Sequence, residues 1–148
     1  MTLETWLASL HLLALLTLVV FASSQTALCR IEWMNDAVVR RLARLDMLYG
    51  WAALALLLSG VVRIVWGAKG IGWYVSQPLF HLKMLLVVVV AILGIRSSLV
   101  IRRWVRTLDA ANTLPAAQEI LQTRRSLMVQ AHIVPVIAVI AVFWANGW

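Results

Sequence analysis

Four long apolar stretches, separated by three polar or basic connections, set the pattern of this chain. The stretches cover about residues 5–28, 46–66, 77–100 and 127–148. Each is as long as an α-helix needs to be to cross a bilayer, and the apolar residues are continuous rather than alternating, which argues against a β-barrel. The pattern predicts an all-α fold: one domain over residues 1–148, an integral membrane antiparallel four-helix bundle with the first and third helices diagonal.

Composition supports a membrane protein. Of the 148 residues, 63% are hydrophobic and only 13% are charged, whereas a soluble domain of this length exposes far more charge. The first stretch follows the acidic Glu4 instead of a basic segment, so we expect a retained helix and no cleaved signal. These features predict a multi-pass protein in contact with the lipid bilayer of the bacterial inner (cytoplasmic) membrane.

The net charge of +7 is informative because of where the basic residues lie along the chain. Ten of the thirteen basic residues lie in the first and third connections or at the end of the third span: Arg30, Arg40, Arg41, Arg44, Arg96, Arg102, Arg103, Arg106, Arg124 and Arg125. Such flanking charge indicates a cytoplasmic location, which places both termini on the outer (periplasmic) side. The charge therefore does not indicate nucleic-acid binding.

The connections carry further expectations. The first, residues 30–45, is amphipathic enough to lie on the membrane surface. Asp46, at the predicted start of the second span, is placed as an N-cap. Pro115 is expected to break the third connection.

Two histidines are predicted at similar depths near the outer side. His11 lies about 9 Å and His81 about 6 Å inside their helices, at 1.5 Å per residue. Because those helices are diagonal, the pair could hold a b-type haem between two axial imidazoles. The alternative is that each histidine is a structural hydrogen-bonding group, and His81 and Lys83, about 200° apart around a helix, cannot both face the bundle axis.

The only basic residues on the outer side are Arg63, Lys69 and Lys83. Haem propionates, a lipid phosphate or an anionic substrate would offset the cost of placing them there. Gly60, three residues before Arg63, would admit a flat ring or a close helix neighbour on the same face.

A second polar group is expected at the inner side. His132 is predicted near Gln130, Tyr49, Asp46 and the segment 23–25. The functional interpretation is a proton path or a quinone headgroup pocket, and the alternative is a hydrogen-bonded patch at the membrane interface. The single Cys29 excludes an internal disulfide.

Parts of the sequence resemble known families. The segments Arg44-Leu45-Asp46-Met47-Leu48-Tyr49-Gly50, Lys69-Gly70 and Phe80-His81-Leu82-Lys83, with a C-terminal Ala-Asn-Gly, resemble a bacterial family of four-helix predicted membrane proteins that is a domain of unknown function. Residues 7–14 and 80–83 also look like HemJ, the membrane protoporphyrinogen oxidase that binds haem b. That similarity implies His11 as a haem ligand and Lys83 as a functional basic residue.

Three functions follow as hypotheses. The first is a b-type haem protein in electron transfer or redox chemistry, with quinone as a candidate partner, His11 and His81 as iron ligands, and Arg63, Lys69 and Lys83 around the cofactor. The second is a HemJ-like enzyme acting on a porphyrin. The third is a non-catalytic accessory subunit of a larger membrane complex, which would meet partner membrane subunits through a lipid-facing row of small residues, for example Ala52, Ala53, Ser59 and Gly60. A homo-oligomer is the alternative to such partners.

Overall fold

The computed structural model describes residues 3–66 and 70–145, and all of its regular structure there is helical. The helices are α1 (Leu3–Leu28), α2 (Asp36–Trp66), α3 (Gly70–Val75), α4 (Pro78–Ala111) and α5 (Ala117–Ala145), with a 3₁₀ turn at Ile31–Trp33. Helices α1, α2, α4 and α5 are each long and apolar enough to cross a membrane. Over the described residues, the prediction of an all-helical fold with four helices able to span a membrane is therefore confirmed.

The four long helices pack in the order α1, α2, α4, α5 around a ring, with α5 also against α1. Hydrogen bonds between α1 and α2 show how these two neighbours run relative to each other. His11, early in α1, bonds Ser59 late in α2, and Gln25, late in α1, bonds Asp46 earlier in α2. We call the end where α1 and α4 finish and α2 and α5 begin the basic end, and the opposite end, which holds His11, the histidine end.

Helix α2 begins ten residues before the predicted span. Asn35 Oδ1 accepts a hydrogen bond from the backbone N–H of Val38 (3.0 Å), as an N-cap side chain does. The next turns bury Val39 and Leu42 completely, so residues 36–45 continue α2 and do not form a separate surface segment. The N-cap expectation for Asp46 is wrong, because that residue lies inside the helix and is 5% exposed.

The connection between α4 and α5 is short. Helix α4 ends at Asn112, whose φ of 49° is the left-handed conformation common at helix ends. Pro115 lies between this residue and the first residue of α5, so the predicted break falls where the structure has it.

Tight packing is confined to the basic end and the middle of the helices. Two clusters of buried apolar residues lie there, one around Leu42 and Ile101 and one around Tyr49 and Val134. Among the side chains that the structure describes, none before residue 18 in α1, after 52 in α2, before 90 in α4 or after 137 in α5 is buried. The described side chains of the histidine end are therefore half-buried or exposed, so its helices pack less tightly.

Candidate functional site

His11 is held against α2 by one hydrogen bond and one close contact. Its Nδ1 lies 2.8 Å from Ser59 Oγ, and the Ser59 hydroxyl donates to the carbonyl of Leu56 (3.0 Å). A hydroxyl has only one hydrogen to donate, so Ser59 accepts from His11 Nδ1–H. In the neutral ring this tautomer leaves the lone pair on Nε2, the arrangement that a hydrogen bond to the other nitrogen gives a metal-binding histidine.

Gly60 explains the closeness of this approach. A Cβ built on Gly60 would lie 3.4 Å from His11 Cε1. The imidazole therefore packs directly on the helix backbone, where a larger side chain would displace it. Of the two predicted roles of Gly60, the structure shows the close helix neighbour, since His11 of α1 contacts this position; the role in admitting a cofactor ring stays a prediction.

Two cations lie near this imidazole. Arg63 and Lys83 are both half-buried and close enough to His11 to act on it electrostatically, and Arg63 acts on Lys83 in the same way. The acidic residues with described side chains lie toward the basic end: Glu32, Asp36, Asp46, Asp109 and Glu119. We call His11, Ser59, Arg63 and Lys83 the histidine cluster; its positive groups repel one another in a region of reduced water.

His81 lies apart from this cluster. Its side chain is exposed, and its Nε2 is 2.9 Å from the carbonyl of Val75 at the end of α3. Because a carbonyl only accepts, His81 donates through Nε2. Lys83, two residues on, is the half-buried member of the pair. The sequence left open which of the two faces the bundle, and the structure selects Lys83. Lys69 lies outside the described residues.

The row of small residues on α2 does not face lipid. Ala52 is 7% exposed and belongs to the core, while Ser59 and Gly60 contact His11. The expectation of a lipid-facing row is therefore wrong at Ala52, which is buried, and at Ser59 and Gly60, which α1 already contacts.

A second polar group lies nearer the basic end, around Asp46. The carboxylate Oδ1 accepts hydrogen bonds from Ser98 Oγ (2.7 Å) and from Gln25 Nε2 (3.4 Å). Gln25 is 1% exposed. Three spanning helices thus meet at one buried carboxylate. The sequence pattern placed Gln25 near Asp46 but did not identify Ser98.

The amide of Gln130 extends this group toward α5. Its Nε2 donates to Ser97 Oγ (3.2 Å) and its Oε1 lies against Gly94, beside the ring of Tyr49. His132 is absent from the group: it is exposed, and its Nδ1 is 2.7 Å from the carbonyl of Met128 one turn earlier. Gln130, Tyr49, Asp46 and Gln25 therefore gather at the basic end as predicted, without the histidine.

Cys29 lies in the connection after α1 and is fully buried, with its Sγ 3.8 Å from the carbonyl of Ile120. Burial raises the pKa of this thiol to about 11, although the nearby Arg124 acts in the opposite direction. Within residues 3–66 and 70–145, no group of three or more His, Cys, Asp or Glu side chains is placed to hold a metal ion.

Comparison with known proteins gives one family. A family model described as "Predicted membrane protein (DUF2214)" matches residues 3–148. No curated protein and no solved structure matches the chain.

Proposed function

This chain belongs to the DUF2214 family of predicted membrane proteins, and we propose that it binds a b-type haem at the histidine cluster and acts in electron transfer. The observation that carries the proposal is the bond between His11 Nδ1 and Ser59, which leaves Nε2 of the neutral ring available beside two cations.

The residues present fit haem in three respects. His11 offers an imidazole of fixed tautomer, Arg63 and Lys83 offer charge partners for the two propionates, and the loosely packed histidine end offers apolar surface for the ring. When bound, haem supplies a one-electron redox centre. The protein's own contribution is to orient the imidazole through Ser59 and to place positive charge where the carboxylates lie.

A second axial ligand for the haem iron would require a rearrangement of His81. For His81 to bind iron, its Nε2 would have to release the Val75 carbonyl and its ring would have to turn toward α1. We propose His11 as the ligand that the protein holds ready, and His81 as the ligand that joins only after this rearrangement.

A quinone remains the candidate electron partner of this haem. We also propose that the four-helix bundle is antiparallel, with both termini on the outer side of the membrane.

The test uses purified protein in detergent, with haem content measured by absorbance with and without dithionite. We expect haem in the wild type, its loss in His11→Ala and its retention in His132→Ala, a matched change of an exposed histidine bonded within its own helix. The spectrum of His81→Ala separates the two ligation states, because low-spin split bands need two axial ligands. Folded wild-type protein that takes up no added haem would overturn the proposal.

A second candidate function uses the same cations. In a HemJ-like oxidase, Arg63 and Lys83 would bind the carboxylates of a porphyrin substrate, and their proximity to His11 supports this candidate. Complementation of a bacterial strain that lacks the last oxidative steps of haem synthesis distinguishes the two functions. Growth restored by wild type but not by Lys83→Gln would favour the enzyme.

A further inference from the structure

A groove between α4 and α5 at the basic end lies well away from the histidine cluster. It has a volume of about 270 Å³, and its walls combine polar and apolar side chains. Arg96, Ser97 and Arg103 line it from α4, and the seven-residue spacing of the two arginines places them on one face of that helix. Gln122 and Ser126 line it from α5.

The charge in the groove is unbalanced. Glu119 is its only acidic lining residue, and both of its oxygens are already bonded, one to Arg103 (2.7 Å) and one to the indole N–H of Trp104 (3.0 Å). Arg96 adds a second positive charge. It lies seven residues before Arg103, about 10 Å deeper along the helix, where an exposed guanidinium is costly unless an anion accompanies it.

The hydroxyl groups of Ser97 and Ser126 have two hydrogens between them, and only one of these has an acceptor among the described residues. Ser97 Oγ and Ser126 Oγ are 3.1 Å apart, so one of them donates to the other. Ser97 Oγ accepts from the Gln130 amide at 3.2 Å, and the same Nε2 lies 3.2 Å from the Ser126 carbonyl and 3.4 Å from Ser126 Oγ. Among the described residues, the remaining serine hydrogen therefore has no acceptor, and an oxygen-rich anion in the groove would supply one.

The walls indicate where that anion comes from. Leu93 and Val100 lie on the same face of α4 as the cations, and the outward positions beside them are exposed and apolar, among them Ile95 and Leu99. An occupant can thus enter from the bilayer, with its charged part against Arg96 and its chains along α4. Basic sites between spanning helices bind anionic headgroups in this manner.

We propose that the α4–α5 groove binds the phosphodiester headgroup of an anionic phospholipid, with Arg96 as its charged contact and the Ser97–Ser126 pair and Gln122 as hydrogen-bond donors.

The test is native mass spectrometry of the delipidated full chain, titrated with phosphatidylglycerol and, separately, with phosphatidylcholine. We expect Arg96→Gln to weaken phosphatidylglycerol binding about tenfold, since it removes a charge-assisted hydrogen bond. Arg106→Gln is the matched control, an exposed arginine of α4 that does not line the groove, and should change binding less than about twofold. Equal losses in the two variants would show general surface attraction and overturn the site.

Two further arms sharpen the result. Glu119→Gln removes the negative charge from the groove and should tighten phosphatidylglycerol binding several-fold; unchanged or weaker binding contradicts the proposal. Inorganic phosphate at millimolar concentration should leave lipid binding intact. If it displaces the lipid, the groove is a site for free phosphate and the lipid proposal fails.

Discussion

Single side chains govern the closest helix contacts in this protein. Gly94 lies on α4 where the ring of Tyr49 and the amide of Gln130 arrive from two other helices, and a Cβ there would be 3.5 Å from Tyr49 Cε1 and 3.4 Å from Gln130 Oε1. Gly50 has nothing within 4 Å of the same built atom. The two glycines, both in membrane-spanning helices, thus differ only in what surrounds them.

This difference gives a stability prediction. Gly94→Val should destabilise the fold by about 1–3 kcal/mol, because the added methyl groups overpack the site and push Tyr49 and Gln130 apart. Gly50→Val carries the same change of helix propensity without the clash and should cost less. Thermal unfolding of both variants in the same detergent measures the comparison, and equal losses would contradict the packing at Gly94.

Cys29 provides a prediction on reactivity and pH. Its thiol is fully buried and its pKa is raised to about 11 by burial, so little thiolate exists near neutral pH. Alkylation of the folded protein by a maleimide should be slow at pH 7 and become faster as the pH rises toward 11, whereas denatured protein should react at once. Because burial favours the neutral thiol, the unfolded chain ionises at a lower pH than the folded protein. Ionisation of Cys29 therefore does not change the free energy of unfolding below the ordinary thiol pKa, and it lowers this free energy as the pH rises above that value. Rapid labelling of folded protein at pH 7 would show that Cys29 is not buried.

At the level of helices, the buried polar group shows what the sequence could and could not establish. The four spans followed from continuous apolar runs, and the gathering of Gln25, Asp46, Tyr49 and Gln130 at one end followed from their depth. The start of α2 did not, because residues 36–45 are charged on one side while Val39 and Leu42 are buried on the other, a pattern shared by a surface helix and by the first turns of a longer one. Which face each helix turns inward depends on packing, which is why Lys83 rather than His81 proved to be the half-buried residue.

The hydrogen bonds that Asp46 accepts from two other helices give a prediction about the stability of the helix packing. Asp46→Ala would leave the Gln25 amide and the Ser98 hydroxyl without their acceptor, and each buried unsatisfied group costs about 1–3 kcal/mol. Asp46→Asn keeps an acceptor oxygen of the same size and should cost less. Asp109→Asn is a control, since its ion pair with Arg40 is about half exposed on both sides and is expected to contribute about 0–1 kcal/mol. If thermal unfolding shows that Asp46→Asn loses as much stability as Asp46→Ala, these hydrogen bonds do not stabilise the fold.

Across the whole molecule, the two ends of the helix ring have different construction. The basic end combines a tightly packed core, a buried carboxylate and surface arginines, whereas the histidine end has half-buried cations and no buried residue among the described side chains. This asymmetry suits a rigid anchor at one membrane surface and a ligand-accepting region at the other. Its physiological meaning depends on which end faces the cytoplasm.

The distribution of arginines predicts that the basic end is cytoplasmic, because basic residues near span ends are retained on that side. Single cysteines at Thr113, between α4 and α5, and at Ser76, between α3 and α4, report on the two ends, since both positions are exposed. The native Cys29 is buried and should add no background. In spheroplasts, a membrane-impermeant maleimide should label Ser76→Cys directly and Thr113→Cys only after lysis. The opposite pattern would place the histidine cluster toward the cytoplasm, and the electron partners of the haem proposed there would then have to be cytoplasmic rather than external.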